Sequence, residues 1–357
     1  MRKREDSIVG SLLGTAVGDS IGLPMEGLSP TRIPRMFPGK TRQRLFFGRG
    51  MVSDDTDHAC LAALALTRAP KNHEDFGSSF AWYLRFWGLA IPAGIGFATL
   101  RSIGKLWLGF GPNSSGVFSA GNGPAMRAPI LGASLGHDFS RLVAMTRIST
   151  RITHTDPKAE VGALLVALAT HYAAQSPGRC ASIAELVSPL HSIFSPEITH
   201  EPVSLVERAA QSAASGQSTL AFAASLGLQK GISGYIYHTV PCVLHAWFRR
   251  PDDFSGAMED LLACGGDTDT TAAILGGIMG AGLGKAGIPT DWLDRIQDWP
   301  WNPTSIEATG KRLAEAIDTG IPQSVALVLW PLVFIRNTAF LGIILAHGFR
   351  RLFPPYS

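Results

Sequence analysis

Residues 10–27 read GSLLGTAVGDSIGLPMEG, and the spacing of their glycines decides how the rest of the chain is read. Gly10, Gly14, Gly18 and Gly22 recur every four residues inside an apolar run that begins at Ile8. Residues four apart share one face of a helix, so this run presents a stripe without side chains. Each interior glycine costs a helix about 1 kcal/mol relative to alanine. A second helix crossing at very small separation accounts for that cost. Membrane helices use the same small-residue spacing, but Asp19 and the charged start Arg2, Lys3 and Arg4 argue against that reading here.

Outward from this stretch, apolar and small residues keep a helical period. The pattern predicts helices over 8–18, 57–65, 158–174, 204–215, 218–226, 240–248, 254–264, 268–281 and 305–317. Asp156 and Pro157 supply a cap and a first-turn residue for the third of these. Alternating strand patterns are scarce, and Gly/Pro punctuation gathers in 30–50, 109–123 and 302–304. The fold class expected is all-α, with long functional loops, rather than a doubly wound sheet.

Composition supports a folded core. Of the 357 residues, 46% are hydrophobic and 17% charged, which excludes wholesale disorder. The formal charge of +3, from 31 basic and 28 acidic residues, leaves no electrostatic case for nucleic-acid binding. Cys60, Cys180, Cys242 and Cys264 form no CxxC pair and read as core residues of a reducing compartment. The apolar run from Ile8 meets Asp19 without a small-residue cleavage site, so a cytoplasmic location is expected over export.

The C-terminal segment differs from the rest. Residues 325–335 and 339–346 are apolar, about long enough together to span a bilayer, but Arg336, Asn337, Thr338 and Pro331 interrupt them. We expect one or two helices packed on the body, giving a domain over 1–320 and a hydrophobic extension over 321–357. Membrane association through this extension is disfavoured. Arg350 and Arg351, followed by Pro354 and Pro355, suit either a helix end or a headgroup contact.

Three acidic clusters carry the chemistry. Asp19 and Glu26 flank the end of the first helix, Ser53-Asp54-Asp55-Thr56-Asp57 precedes the second, and Asp267-Thr268-Asp269-Thr270 opens a later one. A single DDT or DTD ahead of a helix is explained as a helix cap. Together, adjacent carboxylates need a compensating cation or hydrogen bonds. Carboxylates and hydroxyls at these spacings suit hard divalent ions, and two such clusters are expected to clamp a pair about 3.5–4 Å apart. No EF-hand, P-loop or dinucleotide-binding spacing is present.

With these pieces in order, the chain resembles the ADP-ribosylglycohydrolase family. The matching segments are residues 10–27, SDDTD at 53–57, GNGPAMRAPILG at 121–132, THTDP at 153–157 and GGDTDTTAAILGGIMGAGLG at 265–284. The resemblance implies a single large helical domain with a central binuclear metal cleft holding two Mg²⁺ ions, with Mn²⁺ as the variant. Its metal ligands fall on Ser53, Asp54, Asp55, Asp267, Asp269 and Thr270. Ser53 departs from the family's usual threonine and keeps the hydroxyl. Asp55, Glu26 and Asp54, in that order, are the expected catalytic acids.

The implied reaction is hydrolysis of the glycosidic bond between ADP-ribose and a modified protein side chain, releasing ADP-ribose. Hydrolysis of non-protein adducts, O-acetyl- or nucleobase-linked, is the alternative within the enzyme class; a non-catalytic crystallin-like or ADP-ribose-binding role lies outside it. Asn122, Gly123 and Arg127 are expected at the substrate's phosphates and riboses, with His154 beside it. Tyr235 or Tyr237 would stack on the base. The aromatic region 80–110, with Trp82, Trp87 and Trp107, would either pack internally or face the modified partner.

Overall fold

The computed structural model describes residues 3–353; Met1, Arg2 and the Pro354-Pro355 pair lie outside them. Within that range the secondary structure is helical, and the only β pairings are isolated bridges. The all-α expectation therefore holds.

The first helix, Arg4–Gly22, is buried from Ser7 onward and runs through the centre of the molecule. Its partner is the helix Thr268–Leu283, and the two cross antiparallel along the glycine stripe. A methyl built on Gly14 would lie 2.1 Å from the Gly276 carbonyl oxygen, and one on Gly10 would lie 2.1 Å from that of Gly280. The same seam continues through Gly18 against Ala272 and Gly22 against Thr268. Backbone meets backbone, which is the compensation that the glycine stripe requires. Both helices feed a loop at the same end: 23–27 leaves the first, and 265–267 enters the second.

Around this pair pack Asp54–Arg68, Ala128–Leu135, Pro157–Gln175, Ile236–Arg249 and Pro303–Thr319. Three observed helices run through internal prolines, Pro189 in Ile183–Ile193, Pro202 in Pro196–Ala214 and Pro241 in Ile236–Arg249, and the last two begin earlier than their apolar pattern suggests. The extension forms one helix, Trp330–Arg350, lying along the body. Arg336 reaches the buried Asp298 carboxylate and donates to the Val52 carbonyl at 2.6 Å. Asn337 donates to the Ala90 carbonyl at 2.9 Å, and His347 pairs with the Pro24 carbonyl at 3.0 Å. The polar interruption that breaks the apolar run is thus the side that holds the helix to the protein.

Candidate functional site

Where Gly22 faces Thr268, several loops converge around a cavity of about 630 Å³. Glu26 enters from the first loop, Ser53 and Asp54 from the start of the helix Asp54–Arg68, and Asn122 and Gly123 from the glycine loop. Asp267, Asp269 and Thr270 close the ring.

The acidic helix is set in place before any substrate arrives. Ser53 caps it, its hydroxyl taking the Asp55 N–H at 3.3 Å. Asp19, wholly buried on the first helix, acts as a second cap from outside. Its Oδ2 accepts the Ser53 and Thr56 N–H groups at 2.9 and 3.1 Å and the Thr56 hydroxyl at 2.5 Å. Negative charge at a helix N-terminus is favoured, yet burial still raises Asp19 to about 6. No sequence pattern marks Asp19 for this capping role.

The two distant acidic loops do meet. Thr270 donates its hydroxyl to Asp55 Oδ2 at 3.1 Å, and Ser53 donates to the same oxygen at 3.2 Å. Asn122 donates its amide to Asp267 Oδ2 at 2.7 Å and to the Thr239 hydroxyl at 3.0 Å. Burial lifts Asp54, Asp55 and Asp269 well above the usual carboxylate range, and the charge of neighbouring acids adds to it. Glu26 is raised by desolvation and then by Asp267, against the pull of Arg351.

The expected binuclear Mg²⁺ or Mn²⁺ centre is corrected. Among the described residues, no group of three or more His, Cys, Asp or Glu side chains is placed to hold a metal ion. The intended ligands are turned on each other instead. Ser53 and Thr270 give their hydroxyl protons to Asp55, and Asp267 is held by Asn122. Asp55 Oδ1 and Asp269 Oδ1 remain buried without a hydrogen-bond partner. Hydrogen bonds from Ser53, Thr270 and Asn122 supply part of the relief that a buried acidic cluster needs.

The glycine loop is shaped around His154. A side chain at Gly123 would come within 3.0 Å of the His154 Cε1, and one at Gly121 within 3.0 Å of its Nε2. The imidazole lines the cavity, pairs through Nδ1 with the Thr153 hydroxyl at 2.8 Å, and is pushed down to about 3 by burial and then by Arg127. It is therefore a neutral ring.

Arg127 lies behind this wall. Fully buried, it reaches the Gly123 carbonyl, His58 Nδ1, the Ser149 hydroxyl and carbonyl, and the Thr153 hydroxyl. Its guanidinium carbon also sits 5.2 Å over the Phe80 ring, and burial lowers it to about 9. A basic residue near a glycine loop suggested an anion contact; its place is under the loop. Tyr235 likewise stands outside the cavity lining, its hydroxyl taken by Lys158 at 2.9 Å, while Ser233 and Gly234 face inward. Tyr237 is buried.

Asp55 does not line the cavity either, whereas Asp54 and Glu26 do. Trp87 is internal, its indole N–H donated to Asp57 at 2.7 Å, and Trp82 and Trp107 are exposed away from the cavity. The lining also takes Phe97 and Thr99 from the region 80–110 and Met126 from the segment 121–132, together with two residues that no sequence signal marked, Phe340 and Ile344 from the C-terminal helix.

Residues 1–322 match the family model described as ADP-ribosylglycohydrolase. The ADP-ribosyl-[dinitrogen reductase] glycohydrolase of Rhodospirillum rubrum is 28% identical over 302 residues, covering 82% of this chain and 90% of that protein. The ADP-ribosylhydrolase ARH3 of Gallus gallus is 25% identical over 337 residues, covering 79% and 87% respectively. A solved structure described as an ADP-ribosylglycohydrolase-related protein complex superposes with a TM-score of 0.63 at 25% identity, over 89% of this chain and 100% of that one.

Proposed function

Because the chain belongs to the ADP-ribosylglycohydrolase family and is an enzyme of that type, we propose that it cleaves the glycosidic bond between ADP-ribose and a modified protein side chain. The observation that carries this reading is the meeting of Glu26, Asp54, Asp267 and Asp269 around one cavity with a glycine-lined wall.

Glycoside hydrolysis needs one carboxyl group to give a proton to the departing group and another to take one from water. Glu26 and Asp54 reach the cavity from different segments and are our pair for these roles. Water adds its oxygen to the ribose carbon as the bond to the leaving group breaks; the acid's proton passes to the leaving group, one water proton to the receiving carboxylate, and the other stays on the new ribose hydroxyl. Asp55 is assigned to positioning, since its bonds to Ser53 and Thr270 join the two acidic loops. At Gly121 and Gly123 the backbone carries no side chain above the neutral His154 and offers close approach to the ribose and diphosphate.

The test is a panel of arginine-, serine- and DNA-linked ADP-ribose substrates, read as released ADP-ribose. We expect release from a protein-linked substrate, and about a 10²–10⁴-fold loss of turnover in Asp54→Asn. No release from either protein linkage, or near-normal turnover in that variant, overturns the reading.

A further inference from the structure

The C-terminal helix has a second face that the cleft does not use. Two helices among the described residues are long and apolar enough to cross a membrane, and they differ sharply. The central one is wholly buried, whereas only 22% of the Trp330–Arg350 window is. Val333, Asn337, Phe340 and His347 face the body. Ile335, Leu341, Leu345 and Phe349 form an exposed apolar stripe on the opposite side, with Leu345 at 65% and Phe349 at 67%.

Beside this helix lies a hollow of about 890 Å³, larger than the candidate cleft. The turn at Phe46 and Phe47 and the helix residues Ala339, Gly342 and Ile343 supply its apolar walls. Arg42, Arg44, Arg295 and Arg350 also line it, against a single acid, Asp291, which pairs with Arg295. Phe47 is 90% exposed at a φ of +48°, and Ile91, next to the Asn337 anchor point, is 63% exposed at the same φ. These are the two non-glycine residues at positive φ among the described residues. Both are bulky apolar side chains held outward at positions where glycine would be unstrained.

We propose that this face docks on an anionic membrane surface: the outer stripe and Phe47 enter the headgroup boundary while the arginines meet lipid phosphates. An apolar helix face flanked by basic residues has the composition of an interfacial helix. Spanning is excluded by the inner face, because Arg336 and Asn337 are tied to Asp298, Val52 and Ala90. A second copy paired through the same patch would bring like-charged arginines together, whereas an anionic bilayer complements them. The inference is independent of the reaction proposed above.

Sedimentation of the full chain with vesicles tests it. We expect co-sedimentation with phosphatidylcholine vesicles containing about one-third phosphatidylglycerol, little with phosphatidylcholine alone, and release as salt is raised. Arg42→Gln and Arg295→Gln should each weaken binding about five-fold. Leu345→Gln with Phe349→Gln should abolish it without altering ADP-ribose release in solution. Chain left in the supernatant with anionic vesicles overturns the proposal. So does equal binding to both vesicle types, or a dimer that Leu345→Gln dissociates.

Discussion

Asp19 illustrates how a single buried side chain sets up the site without facing it. Its carboxylate satisfies two N–H groups and a hydroxyl at the start of the acidic helix. Asp19→Ala should lower stability by about 2–4 kcal/mol, measured by urea unfolding, because those donors are left without a buried acceptor. His245 makes a different prediction. It stacks on Phe222 at 4.6 Å, pairs with the Ser212 and Thr219 hydroxyls, and is pushed down to about 4 by burial. The unfolded chain takes up its proton near the ordinary value of 6.5, before the native chain does. The stabilisation due to the neutral ring is therefore whole above that value and lost as pH falls toward about 4. Unfolding midpoints of the wild type and His245→Gln should differ most above about pH 7 and converge as pH falls to about 4. Arg127 marks the limit of reading single residues. Its cradle joins His58, Gly123, Ser149 and Thr153, and no local pattern announces that a cation beside a glycine loop will be buried by groups so far apart.

Among the elements, the glycine seam gives the sharpest contrast. Gly14→Ala places a methyl 2.1 Å from the Gly276 carbonyl oxygen and should cost at least about 3 kcal/mol, seen as a lower melting temperature or loss of soluble protein. Gly104, in the helix Phe97–Trp107, has open space where a methyl would stand, with nothing within 4 Å, so Gly104→Ala should stabilise by about 0.5–1 kcal/mol. The same chemical change thus has opposite signs on two helices. The four-residue glycine period made the central crossing readable in the sequence, and the paired acids made the convergence of loops readable. The cation they were expected to share was not borne out, since charge repulsion has more than one remedy. Phe340 and Ile344 were hidden for another reason: an apolar residue carries no mark of which cavity it will border, and theirs lies more than two hundred residues along the chain from the glycine loop.

At the scale of the whole molecule, one buried ion pair, Arg336 with Asp298, is central among the anchors of the C-terminal helix. Arg336→Ala would strand Asp298, which is almost fully buried, and should destabilise by about 3–5 kcal/mol while exposing residues 320–329 to limited proteolysis. That helix separates the candidate cleft from the arginine-lined hollow, with Phe340 on one side and Ile343 on the other. The seam between the first helix and Thr268–Leu283 has a consequence for how such a chain changes over generations. A crowded contact between ordinary side chains can be repaired by trimming the neighbour. At Gly10 against Gly280 and Gly14 against Gly276 the neighbour has already been trimmed to hydrogen, so an error on one strand of descent finds no answering substitution across the interface, only reversion.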